Sequence, residues 1–156
     1  MTTANLKLAP SLLPAPALKA LQGVEAVVRE SGLEPALVHL VKLLASYRNG
    51  CAYCVDMHTK DARAHGETEQ RLYGTAVWQE TPYFSPRERA AFAWTEALTH
   101  LAPSGLTADL FTEARQSFSD AELASLTMVV IAINMWNRLK AAFGSVPGSY
   151  QPALRG

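Results

Sequence analysis

The run from Ser119 to Gly144 constrains the fold most. Ser119-Asp120-Ala121-Glu122 has the form of a capping box, in which a serine hydroxyl and a glutamate carboxylate satisfy the orphan N–H groups of a helix start. Gly144 and Pro147 supply the stop. The helix so bounded reaches Phe143, and its middle, Leu126 to Trp136, is apolar nearly all round. A helix without a wide polar face must sit at the centre of a fold or be covered by another subunit. A monomer would leave too much of this surface in water, so a homo-oligomer is expected.

The rest of the chain offers only helices to build around it. Leu18, Leu21, Val24, Val27 and Val28 form a helical stripe over 17–30, ended at Ser31-Gly32. Pro35 opens a second helix to about Tyr47, with Leu37, Leu40, Val41 and Leu44 as its buried face. A third runs from about Cys51 to His65, with Gly66 as its stop. A fourth is expected over 68–79. Ser85-Pro86-Arg87-Glu88 is a second capping box and starts a helix ending before Pro103, and 107–118 is amphipathic. No period-2 strand pattern of useful length occurs. The expected fold is all-α, a single-domain bundle of six or seven helices over 17–147. An extended proline-containing arm is expected over 1–16 and a short tail over 148–156.

Composition removes several classes of function. The chain is 49% hydrophobic and 18% charged, as a globular protein is. Its 14 basic and 14 acidic residues cancel, and no basic cluster forms a nucleic-acid footprint. The longest apolar run, Met128 to Ile133, is too short to span a bilayer. With no export signature at the N-terminus, a cytoplasmic location is expected.

The chemistry concentrates in Asn49-Gly50-Cys51-Ala52-Tyr53-Cys54-Val55-Asp56-Met57-His58. It holds both cysteines of the chain. On a helix, Cys51, Cys54 and His58 fall on one face. Asn49 and Gly50 suit the turn before it, and a helix start favours a thiolate. If the second and third helices fold back on each other, His39 comes level with His58. Three readings fit: a redox dithiol, a metal site with Cys51, Cys54, His58 and His39 as ligands, or two buried structural cysteines. The absence of a second C-x-x-C or H-x-x-x-H pair counts against a closed zinc site. Tyr53 reads as a wall residue, Glu96 as a salt-bridged one, His65 as a partner of its own helix end, and Asn134 and Asn137 as packing anchors.

The run Leu40-Val41-Lys42-Leu43, Ser46, Asn49 to Cys54 and Met57-His58-Thr59 resembles the core of the alkylhydroperoxidase AhpD family, within the carboxymuconolactone decarboxylase-like superfamily. The likeness continues through Gly66 to Leu72, Glu88-Arg89-Ala90, Trp94 to Leu98 and Asn134 to Leu139. The resemblance implies trimers or hexamers and peroxidase or disulfide-reductase chemistry without metal, haem or other cofactor. It implies that Cys54 attacks a small hydroperoxide, that Cys51 resolves the sulfenic acid, and that His58 moves the proton. It further implies recycling by an external lipoyl or thioredoxin-like dithiol. The family's relay has a glutamate twelve residues before the first cysteine, where this chain has His39, so His39 joins the candidate catalytic set. Some relatives carry a histidine where this chain has Tyr53. A disulfide oxidoreductase or redox sensor is the alternative enzyme reading, and a metal-binding or scaffold protein the non-enzymatic one.

Overall fold

Helix α2 (Pro35–Arg48) is the hub of the computed structural model, which describes residues 7–152. Every residue from Leu40 to Ser46 is buried, so the middle of α2 is covered on all sides. It packs on α3 (Ala52–Ala64), α5 (Pro86–Thr99) and α7 (Asp120–Phe143). The remaining α-helices are α1 (Ala15–Arg29), α4 (Glu69–Gly74) and α6 (Ala108–Arg115). No strand occurs among the described residues, which makes the fold all-α with seven α-helices. No single helix among them is long and apolar enough to cross a membrane.

Two apolar clusters flank α2. Leu37 and Val41 join Val28 of α1, Trp94 of α5 and Leu126, Val129 and Val130 of α7 in one. Leu40, Leu43 and Leu44 join Ala62 of α3, Leu72, Trp78, Phe84 and Phe92 in the other. Each fully buried leucine contributes roughly 1.5–3 kcal/mol. A charged substitution at Leu40 or Leu44 would therefore break both the packing and the hub. α7 carries its burial mainly on one side, through Leu123, Leu126, Val129, Val130, Ile133 and Asn137, while Ile131 remains about half exposed at 48%. The most enclosed helix is thus α2, not α7.

The helix starts follow the expected chemistry. At Ser85 and at Ser119 the hydroxyl accepts from the backbone N–H of Glu88 and Glu122, and each carboxylate accepts the serine N–H at 2.8 Å. Two local readings need correction. Residues 1–6 of the expected extended arm lie outside the described residues, but Pro10–Leu12 is a 3-10 turn and α1 already begins at Ala15. Pro16 sits in its first turn, where a fixed φ and a missing N–H cost nothing. The helix expected over 68–79 stops at Gly74 and continues as a 3-10 segment, Thr75–Glu80, with Val77 at φ −128°. Arginines from neighbouring helices capture its carbonyls: Arg48 donates to Ala76 O at 3.0 Å, and Arg89 to Trp78 O, Gln79 O and Thr81 O at 2.9–3.2 Å. Those tertiary bonds replace the i→i−4 ladder that local sequence favoured.

Candidate active site

The α2–α3 turn is pinned from three directions. Gly50 adopts φ +63°, a left-handed conformation that costs an L-residue about 1–2 kcal/mol and glycine little. Cys51 N donates to Ser46 O at 3.0 Å and Gly50 N to Tyr47 O at 3.1 Å. The Asn49 amide donates to Asn137 Oδ1 at 2.8 Å and to Asn134 Oδ1 at 3.0 Å on α7. Asn137 donates in turn to Ser46 Oγ at 3.1 Å, and Ser46 Oγ donates to Lys42 O at 2.7 Å. Asn134 and Asn137 are thus the anchors expected of them, and they anchor the cysteine turn itself.

Cys51 is the N-cap of α3 and not a residue of its first turn, because its ψ of 89° is non-helical. It is joined to Cys54 as a disulfide, with Cα atoms 5.3 Å apart. Cys54 is 1% exposed and Cys51 9%. The two sulfurs belong to different openings. Cys51 lines a broad cleft with Asn49, Gly50, Ala52, Val146 and Pro147. Cys54 lines a cavity of about 680 Å³ with Met57, His58, His39, Trp136 and Tyr150. Tyr53 and Lys140 line both and form the wall between them. The Lys140 ammonium lies 4.7 Å from the centre of the Tyr53 ring, and burial lowers its pKa.

The hairpin brings His39 and His58 together as the spacing suggests: ligating atoms of His39, His58 and Asp61 all lie within 4.8 Å of one another. His58 is 4% exposed, and neither of its ring nitrogens has a hydrogen-bond partner. Burial first, then the charge of Lys42 and then His39, hold its pKa well below the ordinary 6.5. The imidazole is therefore neutral near pH 7, with a lone pair available. Lys42 is itself paired with Glu25 on α1 at 2.8 Å. The His39 ring lies 4.6 Å from that of His65, whose Nδ1 meets Asp61 O at 2.8 Å at the end of α3. Glu96 lines neither opening. It pairs with Arg48 and accepts from Trp78 Nε1 at 3.1 Å, so it is a structural counter-ion.

Several wall residues were not singled out from sequence. Asp61 lies three positions after His58 on the same helix face, a signal that was available. Lys42 and Glu25 meet across 17 positions, and Tyr150 arrives from the tail. The tail is strapped to α3: Gly148 N donates to Asp56 Oδ2 at 2.9 Å, and Lys60 Nζ donates to Tyr150 O at 3.0 Å. Tyr150 OH donates to Asp61 Oδ1 at 2.7 Å. Burial and this bond push its pKa up to about 12, so it remains a donor.

The sequence model of the carboxymuconolactone decarboxylase family matches residues 15–97. The chain belongs to that family. Its carboxymuconolactone decarboxylase-type region includes α1 to α5 up to Ala97, and so the whole cysteine hairpin. The uncharacterized protein YdfG of Bacillus subtilis is 34% identical over 128 residues, which are 82% of this chain and 87% of that protein. A crystal structure from Agrobacterium tumefaciens, of a protein of unknown function described as an AhpD-type antioxidant defence protein, superposes with a TM-score of 0.83. It is 39% identical and covers 94% of this chain and 98% of its own. The debrominase Bmp8, solved with 2,3,4-tribromopyrrole, superposes at 0.76 with 18% identity over 86% of this chain and 72% of its own. That likeness is one of fold. The chain thus combines an AhpD-like fold with a C-x-x-C pair at disulfide distance.

Proposed function

We propose that this protein is a thiol-dependent peroxidase. The observation that carries the reading is the division of the two sulfurs between two openings. Cys54 lies beneath a cavity of substrate size, beside the neutral imidazole of His58, while Cys51 faces a separate cleft broad enough for a protein dithiol.

The reaction begins when His58 accepts the Cys54 proton. The thiolate attacks one oxygen of a small hydroperoxide and breaks the O–O bond. Sulfur is oxidised to sulfenic acid, and the departing alkoxide takes the proton back from His58 to leave as an alcohol. The Cys51 thiol then condenses with the sulfenic acid, releasing water and forming the Cys51–Cys54 disulfide. An external dithiol attacks that disulfide at Cys51, which lines its own cleft, and leaves as a disulfide itself. His39, beside His58, accepts or passes a proton, where a carboxylate at this position would stabilise the His58 imidazolium. Buried among other groups, Cys54 is shielded from adventitious oxidants until the cavity admits one. A homo-oligomer, trimer or hexamer, accords with the half-exposed Ile131 on α7.

The test is stopped-flow consumption of hydrogen peroxide and cumene hydroperoxide by reduced protein, with free thiols and intact mass followed together. Wild type is expected to lose both thiols and two daltons. Cys54→Ser should consume no peroxide, Cys51→Ser should stop at a sulfenic acid, and His58→Gln should slow the first step by roughly 10²–10⁴-fold. Equal rates for Cys54→Ser and wild type would refute the proposal. Rapid turnover of dithiol substrates with inert behaviour towards every peroxide would favour a disulfide oxidoreductase instead.

A further inference from the structure

We propose that His39, His58 and Asp61 form a binding site for a borderline divalent transition-metal ion of the zinc and cobalt kind. One ligating atom from each lies within 4.8 Å of the other two. Around an ion with bonds of about 2.0–2.2 Å, tetrahedral ligand atoms stand roughly 3.4 Å apart. The three side chains therefore need only small rotations to close on a common centre. Two imidazoles and a carboxylate are the donor set that suits such ions.

The hairpin supplies the arrangement. His58 and Asp61, three positions apart, project from one face of α3, and His39 faces them from α2. A second observation points to a ligand. His58 is buried at 4% exposure with both ring nitrogens lacking a hydrogen-bond partner. Buried polar groups rarely go unsatisfied, and an ion on His58 would supply a partner to one of these nitrogens. Asp61 is also braced as a ligand should be: Tyr150 OH donates to its Oδ1 at 2.7 Å and fixes the carboxylate. The neighbouring Lys42 ammonium, which would repel a cation, is paired with Glu25 at 2.8 Å. All three ligands line the same cavity, so the fourth coordination position opens onto space for water or a small molecule. The set differs from one built on the C-x-x-C pair, since both sulfurs are tied up in the disulfide.

The site stands without the peroxidase reading, but the two meet at His58. An ion there occupies the lone pair that the proton transfer needs, so on that reading zinc inhibits peroxide reduction.

The experiment uses full-length protein, stripped with a chelator and fully oxidised to the disulfide, titrated with Co²⁺ and Zn²⁺ by calorimetry and visible absorption. One ion per chain is expected. His39→Gln and Asp61→Asn should each weaken binding at least tenfold, and Tyr150→Phe by a smaller factor. X-ray absorption at the zinc edge should show nitrogen and oxygen neighbours only. Helical circular dichroism of each variant separates lost ligands from lost fold, and the wild-type absorption spectrum carries the assignment should a variant unfold. Absence of stoichiometric binding to the disulfide form would overturn the proposal. So would unchanged affinity in both ligand variants, or sulfur in the zinc coordination shell. None of these readouts depends on peroxide turnover, so they fail or succeed separately from the proposed function.

Discussion

Replacing Asn137 with alanine should loosen the cysteine turn from a distance. Asn137 is 2% exposed. Its side chain accepts from the Asn49 amide at 2.8 Å and donates to Ser46 Oγ at 3.1 Å. Each buried hydrogen bond is worth about 1 kcal/mol net, and the truncated side chain leaves a small void with its own cost. Asn49 retains Asn134 as an acceptor, and Ser46 retains Lys42 O, so neither is stranded. The expected loss is roughly 2–4 kcal/mol. For a chain of this length it lowers the melting temperature by about 4–16 °C. Urea denaturation at fixed protein concentration measures the stability. The Asn49→Ala/Asn137→Ala double-mutant cycle should return a coupling of about 1 kcal/mol. Because Asn49 positions the turn that ends at Cys51, a thiol reagent should react faster with reduced Cys51 in the variant. A stability change below about 0.5 kcal/mol, or no coupling with Asn49, would refute the claim that α7 holds the turn.

Two further predictions concern the frame of the site. Gly50→Ala introduces a Cβ that meets nothing within 4 Å, so only the strain of φ +63° remains. A loss of about 1–2 kcal/mol is expected, about half of it recovered in Gly50→Asn, and urea denaturation of both variants checks it. The Glu122 carboxyl is held at about 2, against an ordinary 4.5, by the Ser119 N–H, then Arg87 and the Ser119 hydroxyl. Its folded pKa is depressed, so its contribution is complete above about 4.5 and is lost as pH falls through about 2. Melting curves from pH 6 downwards should show this decline in wild type and a shallower one in Glu122→Gln; identical curves would remove Glu122 from the account.

The sequence by itself determined what is local. Capping boxes at Ser85 and Ser119, prolines at first-turn positions and glycines beyond helix ends act within four residues, so they mark helix starts and stops without reference to the rest of the chain. Spacing likewise put Cys54 and His58 one turn apart on α3, and the short α2–α3 turn was enough to align His39 with His58, whereas Cys51 lies before the helix and lines a different opening. Tertiary structure decided the rest, because it depends on groups distant in sequence. Carbonyl capture by Arg48 and Arg89 turned the end of the fourth helix into a 3-10 segment. Two-sided packing made α2 the hub, although α7 is the longer apolar helix. The Asn49–Asn137 clamp spans 88 positions, and Tyr150 reaches Asp61 across 89. Periodicity carries no information at such separations. The placement of the two sulfurs on separate openings arose in the same way: the wall between them is built where Lys140 of α7 meets Tyr53 of α3.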